Sequence, residues 1–567
     1  MVKLPKRRRP KSVTSANGLP SDNRLPSDAE LAGWLKVDRP PSVFRQSAHR
    51  LAEVNRPIAA LHVLDRLIGL QRAIASDWKL TGQLLCQVGE FAQGLDALRQ
   101  SVEQDPTDPE AWHDLGRASY KLGRTDRAFE ELTQAAKLST DLSPLLALAT
   151  MAPGAESVSQ EAILHCRRSF ASKLVDVDPP IETTPATLPT TDQEKVRLGF
   201  LSSWFEKENY MKPVWALINH LNRDRFEVHF FDDSDSKKGD GIAGYRFDGR
   251  DVWHETSSLS NADLASLIAT IQVHIAIDLN AYSTPHRLGL FTKRFAGVQA
   301  AWFNMYATSG LPEIDYIIGD QMAVDLKEAK YYSETIALLD QSYLTFEVTH
   351  QTPPVVEPPC LKTGSITFGS LVTFYKITPN VIRTWAEILK QTPGAKLALG
   401  NTELKSKHNG QFLQDCFRAE GIEAYRLVLL GPAPHAAFLR YYDQFDIALD
   451  AFPYNGGTTT MEAIWQGVPV IAFRGDRWAS RTSASLLTGT PFERFVASDR
   501  EGYIKRAVEL ANSPQRGAIL GDLRRTAREQ LRACSVCDGA GLANSIQALF
   551  EDWIKQNAIA IDKSTLS

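Results

Sequence analysis

Apolar positions in the first third of the chain recur at helical spacing, and the helices themselves recur. Shifting the sequence by 34 residues superposes Trp78 on Trp112, Gly82 on Gly116, Gly89 on Gly123 and Leu98 on Leu132. One period earlier, Phe44, Ala48, Asn55, Ala60 and Leu64 occupy the same phases. In the last copy Trp112, Leu115, Gly116, Ala128 and Ala135 fit the tetratricopeptide spacing, and Pro106 closes the copy before it. Small residues at fixed phases let helices approach, and aromatics fill the gaps between them. Residues 40–140 are therefore expected to stack as a short tetratricopeptide solenoid with a concave face, continued by helix over 141–177.

The pattern then changes. After a Pro/Thr-rich linker over 178–192, short apolar runs alternate with helix-length segments. Runs at Val196–Leu201, Phe226–Phe231, Val273–Ile277, Val298–Trp302, Tyr316–Ile318 and Ile336–Leu339 predict one Rossmann-like α/β domain over 193–351. A second linker, 352–364, precedes runs at Ile366–Phe368, Lys396–Leu399, Leu427–Leu430, Ile447–Asp450 and Val468–Phe473, which predict another over 365–540. Thr378–Pro379 opens a helix that places Val381, Trp385, Ile388 and Leu389 on one face. An amphipathic helix near Gly541–Lys555 falls in the last segment, 541–567. The fold class expected is α followed by α/β, with a cleft between the two α/β domains where ligands of such folds bind.

Composition narrows the function classes. A chain of 567 residues with a formal charge of −4 gives no global argument for nucleic acid or a membrane surface. Lys3, Lys6, Arg7, Arg8, Arg9 and Lys11 form a basic cluster in residues 1–39, expected to be a disordered tail. No apolar core follows it, so it is not a secretory signal. No apolar run approaches the ~18 residues of a membrane span. The expected compartment is cytoplasmic. Six cysteines in a chain of this length do not form a disulfide framework, and the Cys534–Cys537 pair has no partner pair at zinc spacing.

Candidate chemistry concentrates in Phe445–Phe473, FDIALDAFPYNGGTTTMEAIWQGVPVIAF: a strand, a turn through Pro453, Asn455, Gly456 and Gly457, and a helix from about Thr458 that Gly467 ends. Two readings stand for that helix start. Free N–H groups, a positive dipole end and small side chains suit an anion. Asn455 and Thr458, Thr459 and Thr460 also suit plain capping. Lys376, in Phe374-Tyr375-Lys376-Ile377 after a strand, lies beside the cleft; with the helix start it would stabilise a departing diphosphate without a metal. Asp232-Asp233-Ser234-Asp235 reads as a solvated turn rather than a metal site. No Ser–His–Asp elbow, Walker loop or HExxH is present.

FYKI (Phe374–Ile377), the Leu449–Phe473 segment and WASRTSASLL (Trp478–Leu487) resemble the protein O-GlcNAc transferase family, glycosyltransferase family 41, including its bacterial SPINDLY-like members. RLGFLSSWF (Arg197–Phe205) and VQAAWFNMYATSGLPEIDYIIGDQ (Val298–Gln321) match the same family in order, so the resemblance covers roughly residues 40–555. It implies a GT-B fold, a nucleotide-sugar donor (UDP-GlcNAc by family default), no cofactor, no catalytic metal, inversion at the sugar, and transfer to Ser/Thr of a protein acceptor selected by the repeats. Lys376 matches the family's donor-phosphate lysine and Tyr375 its neighbour. Thr458 and Thr459 match the paired threonines at the diphosphate. Glu462 takes the place of an acidic residue one turn on, suited to ribose hydroxyls. Ala433 and His435 fall in the loop that brackets the base.

Three departures stand beside these matches. Glu208 occupies the place of a family histidine near donor and acceptor. Gly457 stands where eukaryotic members have histidine, and Phe438 replaces another histidine near the nucleotide. Glu208 is either a general base or a surface carboxylate. The leading expectation is a protein glycosyltransferase. The alternatives are a degenerate repeat scaffold, or a transferase using a GDP-, UDP-hexose or CMP-sugar, for example on bacterial flagellin.

Overall fold

The computed structural model describes residues 27–177, 183–191, 193–234 and 241–565. They form two compact units that divide after Ala118.

The first unit contains α1 (Asp28–Leu35), α2 (Pro41–Glu53), α3 (Pro57–Gly69), α4 (Ala75–Gln87), α5 (Phe91–Gln104) and the first turns of α6 (Pro109–Lys121). Phe44, Ala48, Ala60 and Leu64 are buried, in one cluster with Leu31, Leu51 and Leu67. A Cβ on Gly82 would lie 2.4 Å from Leu98 Cγ, so α4 and α5 touch where the repeat demands glycine. The 34-residue phase also has a backbone cause. Asn55, Gly89 and Gly123, spaced by that period, turn the chain between paired helices at φ +60°, +89° and +73°. Glycine adopts that region freely, and asparagine at small cost. One expectation is corrected: the tail does not run to residue 39. Ser27 caps α1 in a capping box with Glu30, Leu31 is buried, and Trp34 packs edge-on against Phe44 at 5.3 Å. The basic cluster itself lies outside the described residues, as do residues 178–182 and 192 of the linker.

The second unit begins with the end of α6 and continues through α7 (Thr125–Leu138), α8 (Leu142–Met151) and α9 (Gln160–Val177). Arg167 of α9 is fully buried and donates to the carbonyls of Met305, Ala307 and Thr308, fixing these helices to the first sheet's loops. That sheet holds β1 (Val196–Ser202), β2 (Phe226–Asp232), β3 (Val252–Glu255), β4 (Ile275–Asp278), β5 (Val298–Trp302), β6 (Tyr316–Asp320) and β7 (Thr335–Leu339), in the order β3-β2-β1-β4-β5-β6-β7. The second sheet holds β8 (Thr367–Ser370), β9 (Lys396–Gly400), β10 (Leu427–Leu430), β11 (Ile447–Leu449), β12 (Val470–Phe473) and β13 (Val496–Ala497), in the order β10-β9-β8-β11-β12-β13. Every registered pair is parallel, from Val196 against Phe226 to Phe473 against Ala497. Both sheets therefore reverse direction once, at β1/β4 and at β8/β11, and such switch points leave a crevice at the strand C-termini.

Edge strands β3 and β13 have no apolar run to announce them: β3 is exposed at both ends, and β13 is two residues long. The last helix, Gly539–Thr565, crosses back to the first α/β domain, where Trp553 stacks on Tyr316 at 4.3 Å and Phe550 meets Phe226 at 6.1 Å. The acidic segment is not a solvated turn at Asp232 and Asp233. Both are buried, and Asp233 accepts Arg287 Nη2 at 2.8 Å and Nε at 2.9 Å. Asp235 lies outside the described residues.

Candidate active site

β11 ends at Leu449, and the chain turns through Asp450, Asn455 and two glycines into the helix Thr458–Trp465. The turn is held from beneath. Asp450 Oδ1 accepts the Gly456 N–H at 2.8 Å, and Asn455 Nδ2 donates to the Ala451 carbonyl at 2.8 Å. A Cβ on Gly456 would lie 2.5 Å from Thr459 Oγ1, so this position requires glycine. No side chain caps the helix. Asn455 points back into the turn, and the Thr460 hydroxyl is spent on the Gly456 carbonyl and Ser483 Oγ. Among the described residues, the N–H groups of Thr458 and Thr459 reach no acceptor, whereas those of Thr460 and Met461 bond Gly457 O. The capping reading falls, and a helix start with bare donors remains, an arrangement that favours an anion.

Lys376 ends the short 3₁₀ turn Phe374–Lys376 that follows β8. Because β8 and β11 are neighbours at the switch point, the two loops come together. Lys376 Nζ donates to the Asn455 carbonyl at 2.6 Å and lies 3.8 Å from the Tyr454 ring centroid. Burial pushes the Lys376 ammonium down, and the Asp450 carboxylate works against that. Burial likewise pushes Asp450 up, opposed by the Gly456 N–H, Ser483 and Lys376. The two groups thus act on each other electrostatically, and Lys376 Nζ is held at the carbonyl of the turn that leads into the helix.

Half-buried tyrosines surround this lysine. Tyr375 stacks on Tyr120 of α6 at 4.8 Å, Tyr454 lies 5.9 Å from Tyr375, and Tyr306 lies 4.8 Å from Tyr454. Burial pushes the Tyr375 phenol up to about 12. The α6–α7 turn rests on the same element: a Cβ on Gly123 would lie 2.2 Å from the Ile377 carbonyl oxygen. The last repeat turn is therefore part of the wall that positions Lys376.

One turn along the helix, Glu462 accepts His435 Nε2 at 2.8 Å and Lys212 Nζ at 3.4 Å, both on Oε1. Burial alone raises the Glu462 carboxyl, but Lys212 and His435 outweigh it and the net displacement is downward. The His350 ring lies 5.2 Å from that of His435, and His350 Nδ1 is 3.7 Å from Glu208 Oε1. Burial and Lys212 lower His350, with Glu208 opposing. Glu208 also accepts the Thr349 hydroxyl at 2.9 Å. Phe438 packs on Tyr441 and Tyr442 at 5.9 and 6.5 Å, and the Tyr442 hydroxyl donates to the Thr459 carbonyl. Ala433 lies in the loop between β10 and the His435–Leu439 helix. At Gly457 a Cβ would meet nothing closer than 3.8 Å.

Two groups of predicted residues thus emerge. Lys376, Tyr375, Gly457, Thr458 and Thr459 share the switch-point end, and Glu462 and His435 bond one turn away. Glu208 joins the second group through His350, and it contacts Thr349 and His350 rather than Lys376. Sequence reasoning missed Tyr454, His350 and Lys212. Lys212 carried a usable signal: it heads KPVWALI, a segment buried at every position. Among the described residues no group of three or more His, Cys, Asp or Glu side chains is placed to hold a metal ion. No helix among them is long and apolar enough to cross a membrane.

Two switch-point sheets with an anion-suited helix start in the second, preceded by tetratricopeptide-type helices, define a repeat-bearing protein of the GT-B type. Comparison with known proteins agrees. The model of glycosyl transferase family 41 matches residues 177–354 and 359–533, and a tetratricopeptide repeat model matches 85–150. The chain belongs to glycosyl transferase family 41. It is 31% identical over 301 residues to the probable UDP-N-acetylglucosamine–peptide N-acetylglucosaminyltransferase SPINDLY of Hordeum vulgare, covering 53% of this chain and 32% of that protein. It is 25% identical over 397 residues to the corresponding SEC protein of Arabidopsis thaliana, covering 68% of this chain and 39% of that protein. The chain spans about a third of the length of the curated relatives it matches (32% in the barley protein). A solved structure of a mutant Thermobaculum terrenum O-GlcNAc transferase shares the fold, with a TM-score of 0.76, 24% identity, and coverage of 93% of this chain and 100% of that one.

Proposed function

We propose that this protein transfers a sugar from a nucleotide-sugar donor to Ser or Thr hydroxyls of a protein acceptor selected by its repeats, with inversion and without a metal. The acceptor oxygen attacks the anomeric carbon, and the bond from that carbon to the diphosphate oxygen breaks. The electron pair leaves with the nucleoside diphosphate, and the acceptor proton passes to a base, for which Glu208 is the candidate. Lys376 and the Thr458 and Thr459 N–H groups stabilise the departing charge. UDP-GlcNAc is the first donor to try, because the barley and Arabidopsis relatives are named for it. Cytoplasmic placement belongs to the same proposal.

The observation that carries this reading is the convergence of Lys376 Nζ with a helix start whose first N–H groups lack acceptors. A degenerate scaffold has no use for a half-buried ammonium held 2.6 Å from the carbonyl that leads into that helix. The test is nucleotide release across a donor panel of UDP-, GDP- and CMP-sugars, with intact-mass analysis of proteins co-expressed with the chain. Lys376→Ala is expected to lower turnover by about 10²–10³-fold, the usual cost of removing a group that stabilises developing negative charge. A wild-type chain that neither binds nor turns over any donor establishes the scaffold reading instead.

A further inference from the structure

A buried ion pair joins the two α/β domains one turn into the helix that begins at Thr458. Lys212 opens the helix Lys212–Ile218 of the first domain, and its Nζ lies 3.4 Å from Glu462 Oε1 of the second. The two side chains are only 2% and 3% exposed. Around them stand Phe346, Val348, Leu439, Met461 and Trp465, a setting in which an apolar side chain would satisfy packing alone. An ammonium persists in such surroundings only when paired. Lys212 and His435 share Oε1, so the second carboxylate oxygen carries no protein hydrogen bond among the described residues. His435 likewise bonds through Nε2 alone and remains 35% exposed.

We propose that Lys212 is a positioning residue of the nucleotide site, reaching across from the first domain to hold Glu462, and through it His435, against the nucleoside part of the donor. This rests on the nucleotide-sugar reading above. The site is then complete only when both α/β domains are in place, because the carboxylate that orients it takes its charge partner from the other domain. Lys212 is also the largest of the influences that keep the Glu462 carboxyl low against its burial. The other charged groups facing this cluster are His350, near His435 and lowered by Lys212, and Glu208 beside His350.

The experiment uses the full chain with UDP, GDP and CDP as probes, measured by calorimetry for the wild type, Lys212→Met, Lys212→Arg, Glu462→Gln and the Lys212→Met/Glu462→Gln double variant. Lys212→Met is expected to weaken nucleotide binding about tenfold or more, because it strands a buried carboxylate. Its binding should weaken further as pH falls, since Glu462 then takes up a proton in a range where the wild type is flat. Lys212→Arg keeps most of the affinity, and the double variant binds no worse than Glu462→Gln alone. Equal affinity of Lys212→Met and wild type at every pH overturns the proposal, as does a double variant weaker than Glu462→Gln. If the wild type binds none of the three nucleotides, the donor reading fails by itself. The ¹³C carboxyl resonance of Glu462, assigned by Glu462→Gln, then separates the two: an upward-moved titration in Lys212→Met supports the hold of Lys212 on Glu462, and an unmoved one overturns it.

Discussion

Replacing Gly123 by alanine tests whether the last repeat turn builds the candidate active site or merely adjoins it. Gly123 sits at φ +73°, and a Cβ there would lie 2.2 Å from the Ile377 carbonyl oxygen and 2.9 Å from its carbonyl carbon. The left-handed conformation alone costs alanine about 1–2 kcal/mol. The overlap is with backbone, so it is relieved only by moving the Phe374–Ile377 turn away, at about 1–3 kcal/mol more. Gly89 is the internal control: it occupies the same repeat phase at φ +89°, but a Cβ there meets no atom within 4 Å. Gly89→Ala should therefore cost only the conformational part. In urea unfolding followed by circular dichroism, Gly123→Ala is expected to lose about 2–5 kcal/mol and Gly89→Ala about 1–2. Because the displaced turn carries Lys376, Gly123→Ala should also weaken nucleotide binding about tenfold, equivalent to ~1.4 kcal/mol, while Gly89→Ala leaves it unchanged. Equal stability losses with nucleotide binding intact in both would refute the coupling.

Three further outcomes are expected. Gly457→His should leave stability within about 0.5 kcal/mol, because the position has ordinary φ of −113° and open space beyond 3.8 Å; a thermal melt checks this, and a loss above about 2 kcal/mol contradicts it. Tyr120→Leu removes the 4.8 Å stack on Tyr375, worth about 0.5–1.5 kcal/mol beyond area, and should speed hydrogen exchange at 374–377; unchanged exchange there counts against the wall. For Asp233, burial raises the carboxyl but His286 and Arg287 outweigh it, taking it from 3.8 to about 2. A carboxyl depressed in the folded state stabilises above its unfolded value and loses that contribution as pH falls through the folded one. Asp233→Asn should therefore cost about 2 kcal/mol at neutral pH, and the gap from wild type should close between about pH 4 and 2 in pH-dependent unfolding.

Much of the fold was legible because its causes are local. The 34-residue phase follows from Gly82 against Leu98 and from the left-handed turns at Asn55, Gly89 and Gly123. The Thr378 cap and the buried face of Val381, Trp385, Ile388 and Leu389 follow from helical spacing and appear as expected. The edge strands were not legible, since β3 buries too little to leave an apolar run. Neither was the helix Asp28–Leu35, whose order depends on Leu31 and Trp34 packing onto residues further along the chain.

For the site, the sequence by itself determined the parts: a glycine-rich helix start that only small residues permit, a lysine after a strand, and a repeat with glycine or asparagine at each turn. The pairing of those parts was decided by the tertiary structure. Strand order places β8 beside β11 and so brings Lys376 to Asn455, 79 positions away. Domain packing brings Lys212 to Glu462 across 250 positions and Gly123 onto Ile377. Local spacing encodes propensity and which face is apolar, whereas a buried charge finds its partner only when burial is settled by the whole fold.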